Sequence, residues 1–147
     1  MPQSQYRLED VLPHRPPMML IDRIVECDTN DGTITVEAVI REEWTDSVSA
    51  IELMAQSAAA LAGAADIASG HKGKAKPGFL LGTRKMELFL PAFKAGEICT
   101  VKARRIFNDA ETASFECSVE RSNGTTAATA TLNAYRPPDI AAFLSEL

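Results

Sequence analysis

Residues 49–69, SAIELMAQSAAALAGAADIAS, are the one long stretch of this chain that reads as a helix. Ala, Leu, Met, Glu and Gln dominate it, all strong helix formers, and Gly70 is placed to end it as the C′ residue. On both sides apolar and polar residues alternate with period two, the mark of strands with one buried face. A single long helix among many strands has few ways to bury itself. It must lie on one face of one antiparallel sheet, an α+β arrangement.

The strands can be read individually. LIDRIVECD and TITVEAVI flank the turn signal Asn30-Asp31-Gly32 and form an expected hairpin. In the second, Ile34, Val36, Ala38 and Ile40 alternate with Thr33, Thr35 and Glu37. After the helix, GFLLGTRKMELFLP is a long strand closed by Pro91. EICTVKARRIF puts Cys99, Val101, Ala103 and Phe107 on one face, and TASFECSVERS does the same with Ala113, Phe115, Cys117 and Val119. Asn123-Gly124, a strong hairpin signal, leads into TTAATATLNAY. The order is two strands, one helix, then four antiparallel strands in meander-like succession, with RPPDIAAFLSEL as a short terminal helix or extension. Ala55, Ala58, Ala59, Ala62 and Gly63 let the helix approach a curved sheet closely, and a sheet wrapped around such a helix is the hotdog fold. The 147 residues suit one such domain, spanning 1–147.

Composition excludes several function classes. A net charge of -5 argues against nucleic-acid binding, which needs a basic surface. The segment 50–65 is mostly alanine, interrupted by Glu52 and Gln56, and too weakly hydrophobic to span a bilayer. MPQSQYRLEDV has no basic region followed by an apolar one, so no signal peptide is expected. Three cysteines without CxxC spacing read as free thiols in a reducing cytoplasm, with no zinc site. Cys99 and Cys117 fall on apolar strand faces and read as core.

Few residues remain for chemistry. Ser49 followed by Glu52 is a capping box, in which the acid bonds back to the N-cap amide and complements the helix dipole. A carboxyl at that place, beside an apolar tunnel, also suits a general acid or base, and the two roles are compatible. His14 lies in LPHRPP, between Pro13 and Pro16-Pro17, a stiff non-helical passage with a short helical turn before or after it. Such a histidine is either a positioned acid–base group or a structural residue bonding a turn. His71, among glycines and lysines, reads as a surface residue. Asp22 and Arg23 form an expected ion pair tying the N-terminal passage to the first strand. Lys72, Lys74, Lys76, Arg84 and Lys85 are a solvated edge or a landing patch for an acidic carrier.

In LPHRPPMMLIDRIVECD, IELMAQSAA, LLGTRKMELFLPAFKAGEICTV, SFECSVERSNG and ATLNAYRPPD, in that order, the chain resembles the hotdog-fold 3-hydroxyacyl-[acyl-carrier-protein] dehydratases over nearly its whole length. It looks closest to the divergent branch found in aryl polyene and related lipid gene clusters. The resemblance implies that Glu52 is catalytic and that a thioester on the phosphopantetheine arm of acyl carrier protein is the substrate. No other cofactor is implied. One departure stands out. The main branch carries its histidine in a GHFPG-type loop before the helix, whereas the corresponding stretch here is REEWTDSVS, and Ala38 stands fourteen positions before Glu52. His14 is then the nearest partner for Glu52, with Gln56, Gly82 and Arg84 expected to bind substrate. Backbone N–H groups at the helix N-terminus or near Gly82 are expected to polarise the thioester carbonyl. Sites of this family lie between subunits, which implies a homodimer, or a heteromer with another hotdog protein. Two rival readings follow: a hotdog thioesterase, in which Glu52 activates water, and a non-catalytic subunit that accompanies a catalytic dehydratase.

Overall fold

The computed structural model describes residues 6–12, 16–70, 79–109 and 111–135, with the backbone alone for 79–81. His14, His71, the three lysines of 72–76 and the C-terminal tail lie outside the described residues. The elements are α1 (Leu8–Val11), β1 (Arg23–Asp28), β2 (Thr33–Val39), α2 (Ser49–Ala68), β3 (Phe79–Leu88), β4 (Ile98–Asn108), β5 (Thr112–Glu120) and β6 (Thr126–Tyr135). One six-stranded antiparallel sheet, ordered β1-β2-β4-β5-β6-β3, curves around α2 in the hotdog arrangement.

Alternation builds the core as expected. Ile34, Val36, Ala38, Cys99, Val101, Ala103, Phe115, Cys117, Val119, Ala128, Ala130 and Leu132 point inward and are buried. They meet Ala50, Leu53, Met54, Ala58, Ala60, Leu61 and Ala64 from α2. The β1–β2 hairpin closes where Asp28 Oδ1 accepts the amides of Asn30 and Asp31, with Gly32 at a φ of 70°.

Two strand expectations are corrected. Phe107 is 54% exposed, because a bulge between Arg105 and Phe107 inserts a residue and turns Phe107 to the outer face, opposite Ser114. The post-helix strands are also not a simple meander. β4, β5 and β6 are, but β3 lies at the far edge beside β6, and β4 pairs with β2. The chain crosses between them through residues 89–97, passing the start of α2, where Asp46 bridges Ala92 and the Phe93 amide donates to Thr45 O. Pro91 lies in this crossing, and β3 ends at Leu88, three residues before the proline expected to close it.

Glu97, at the end of the crossing, fastens it. Its carboxylate accepts from Arg121 Nε at 2.6 Å and from the Lys94 amide at 3.0 Å. Asp22 and Arg23 do not pair with each other. Asp22 accepts the Val39 amide and faces Arg41, while Arg23 bonds Glu37 across the hairpin.

Candidate active site

The helix start is built differently from the expected capping box. Ser49 is the first helical residue and is buried, and no side chain caps at Val48, which precedes it. Asp46 takes that role from further upstream. Its Oδ1 accepts the Val48 amide at 2.9 Å and its carbonyl accepts the Ser49 amide at 2.9 Å. Ala50 and Ile51 donate to the carbonyls of Ser47 and Val48. The amides expected to polarise a thioester carbonyl at this helix end are therefore engaged by the tight turn before it.

Glu52 sits in the first turn of α2, half-buried. Its Oε1 accepts from Gln56 Nε2 at 2.9 Å, one helical turn along. Gln56 is fully buried. Its Nε2 also donates to Met18 O at 2.7 Å, and its Oε1 accepts the Leu20 amide at 2.8 Å. The Gln56 amide, expected to bind substrate, is enclosed in this chain and bonded to the protein at both ends. Arg41 reinforces the same leg by donating to Pro17 O at 3.2 Å.

The N-terminal segment is held to α2 at a second place. Val11, at the end of α1, packs on Gly63 so closely that a Cβ there would lie 1.9 Å from Val11 O. Gly63 and Gln56 are seven residues apart on the helix, or about 10 Å. Residues 12–17, which include His14, connect these two anchors in sequence. Along the same helix Ala55, Ala59 and Ala62 form a partly buried lane continuing from Glu52 at steps of three and four residues.

The remaining expected binding residues lie elsewhere. Gly82 and Arg84 are on the edge strand β3, whereas α2 packs mainly on β2, β4, β5 and β6. Gly82 borders a register shift in the β3–β6 ladder, with open space where a Cβ would be, and Arg84 is exposed opposite Thr131. The stretch REEWTDSVS forms a 3₁₀ turn, Glu42–Trp44, whose half-buried Trp44 lines a small crevice with Leu20, Val39, Ile40, Ser49 and Leu53.

The thiols are not nucleophiles in waiting. Burial pushes Cys27 up to about 11, with Asp28 adding to it, and pushes Cys99 and Cys117 up to about 12, so all three are protonated at neutral pH. Among the described residues no group of His, Cys, Asp and Glu is arranged to hold a metal, and no helix is long and apolar enough to cross a membrane.

Three comparisons bear on this arrangement. No functionally curated sequence matches the chain. Among solved structures, the dehydratase heterocomplex ApeI:P from Xenorhabdus doucetiae is similar with a TM-score of 0.84 and 24% identity, covering 97% of each chain. A hypothetical thioesterase from Streptococcus pneumoniae, solved with coenzyme A, has a TM-score of 0.61 and 14% identity, over 78% of this chain and 84% of that one. The E. coli PaaI protein of the phenylacetic acid degradation operon has a TM-score of 0.59 and 16% identity, over 79% and 82%. The two thioesterase-type and PaaI likenesses establish the fold and leave the chemistry open. The narrower match comes from the sequence itself: the model of the ApeP dehydratase family aligns with residues 6–145, from before α1 to beyond β6, and the chain belongs to the ApeP-like dehydratase family.

Proposed function

We propose that this chain serves the dehydration of a 3-hydroxyacyl thioester, carried on the phosphopantetheine arm of an acyl carrier protein, to the trans-2-enoyl thioester. Glu52 carries the reading: it is a half-buried carboxylate in the first helical turn, held against the leg that follows His14. In the reaction a base takes a proton from Cα, made acidic by the thioester carbonyl. An acid gives a proton to the β-hydroxyl, which leaves as water while the Cα–Cβ double bond forms. His14 is assigned the base and Glu52 the acid or water-positioning group. The alanine lane beside Glu52 offers an apolar path for the acyl chain. Arg84 and Lys85, exposed on β3, suit an acidic carrier. The reaction needs no metal or organic cofactor beyond the carrier's own arm, and reducing conditions such as the cytoplasm fit the free thiols.

The working unit is proposed to be a dimer, with itself or with a second hotdog subunit. Support comes from β3, an edge strand whose far side is unpaired among the described residues, with Leu88 at its end and Phe89 just after it both exposed. The printed description of the Xenorhabdus relative as a heterocomplex favours the mixed form. It also favours a second reading, in which this chain is the accessory member and its partner catalyses. The absence of a histidine in REEWTDSVS supports that reading too.

Mass spectrometry of a 3-hydroxyacyl–carrier thioester separates these possibilities. The wild type, alone and with a partner hotdog subunit, is compared with His14→Ala and Glu52→Gln. The expected outcome is loss of about 18 mass units with the wild type, by the elimination of water described above, and not with either variant. Full dehydration by both variants in the presence of the partner would assign the chemistry to the partner. Release of free acid would make the protein a thioesterase.

A further inference from the structure

The enclosed amide of Gln56 has a fixed orientation. The Leu20 amide can only donate and the Met18 carbonyl can only accept. Flipping the side chain would set Nε2 against an N–H and Oε1 against both a carbonyl and the Glu52 carboxylate. Gln56 must therefore donate to Glu52 Oε1, and both of its N–H hydrogens have an acceptor. Because the side chain is fully buried, it has no alternative rotamer that reaches water.

We propose that Gln56 is a positioning residue, a single amide that fixes one oxygen of Glu52 and the Met18–Leu20 backbone to each other, and so sets the acid relative to the N-terminal leg that carries His14. The inference rests on the reading of Glu52 as part of the dehydration site. Its physical basis is that proton transfer needs a defined oxygen at a defined distance, and a misplacement of about 1 Å costs on the order of 100-fold in rate. The bond from Gln56 holds Glu52 Oε1 in one place and so restricts rotation of the carboxylate. Arg41 adds a further hydrogen bond to the same leg, at Pro17 O.

The test is steady-state kinetics of dehydration by the full chain, together with its partner subunit where turnover requires it. Gln56→Leu replaces the amide with an apolar side chain of similar size and removes every hydrogen bond. Gln56→Glu keeps the shape but turns an acceptor toward Glu52 and Met18 O. Both variants are expected to lose about 100-fold in kcat, with KM within about threefold of wild type, because binding is kept and placement is lost. Circular dichroism and thermal melting identify which variants are folded, and a fold loss in one leaves the other to be measured. A raised KM with kcat intact would mean direct substrate contact and overturn the proposal. So would wild-type kinetics in either folded variant while Glu52→Gln is inactive. Wild-type kinetics in Glu52→Gln, or no turnover by the wild-type complex, would sink the functional reading itself and the positioning role with it.

Discussion

At the scale of single residues, two positions in α2 had their reasons hidden by their composition. The run of small residues at 58–65 reads equally as room for an acyl chain or as close packing. Gly63 is decided by contact: only a hydrogen fits against the Val11 carbonyl. Ala58, Ala60 and Ala64 are buried in the core, whereas Ala55, Ala59 and Ala62 are only partly buried and form the lane. Gly63→Ala is expected to destabilise the fold by roughly 1–3 kcal/mol, since its methyl group meets backbone that must move as a unit. Urea unfolding reads the loss. Hydrogen exchange reads its location, as faster exchange of the Leu12 amide, which closes α1 by bonding Leu8 O. A variant as stable as wild type, with α1 still protected, would mean that the two helices do not depend on that contact. Gln56 is the other such residue. Its spacing of four from Glu52 was a legible signal of a helical side-chain pair. The two further bonds, to Met18 and Leu20, come from 38 and 36 residues away, and nothing local in the sequence announces them.

At the scale of elements, the parts that were legible are those fixed by period. One helix at 49–68, a hairpin before it and strands after it follow from alternation and propensity alone. What failed were details set by neighbours. The Phe107 face depends on a bulge, and a bulge breaks the parity on which a period-two reading relies. The position of β3 depends on the crossing at 89–97, which is a matter of tertiary contacts with Thr45 and Asp46. The cap was misplaced for a similar reason. Ser49 has the sequence signature, but the turn at 46–48 winds early and brings Asp46 to the free amides. Asp46→Ala should therefore cost about 1 kcal/mol, while Asp46→Asn, which keeps an accepting oxygen, should cost only a few tenths. Ser49→Ala, by contrast, removes no cap. Chemical denaturation of the three variants checks the order. A larger loss for Ser49→Ala than for Asp46→Ala would return the cap to Ser49.

At the scale of the whole molecule, the described chain leaves one side of β3 unpaired with two large apolar residues at its end, Leu88 at 41% and Phe89 at 57% exposure. Replacing both by Glu is expected to shift the assembly toward monomer in light scattering while melting changes little, since neither side chain belongs to the buried core. An unchanged oligomer would move the interface elsewhere. The pairing of Glu97 with Arg121 concerns the same end of the molecule from within. Burial raises the Glu97 carboxyl, but the hydrogen bond from Arg121, the Lys94 amide and the charges of both residues outweigh it and hold the group below its usual 4.5. A carboxyl lowered on folding stabilises the native state wherever it is ionised in both states, and that contribution disappears as pH falls through the folded value. Glu97→Gln should therefore melt below wild type by a constant gap from pH 8 down to about 5, and the gap should close below the usual 4.5. Asp109, held low by the amides of Thr112 and Glu111, titrates equally in both proteins and drops out of the difference. A gap that persists unchanged to pH 3 would mean that the carboxylate charge contributes nothing there and that shape alone matters. Closure would show that the crossing past the start of α2 is fastened by charge.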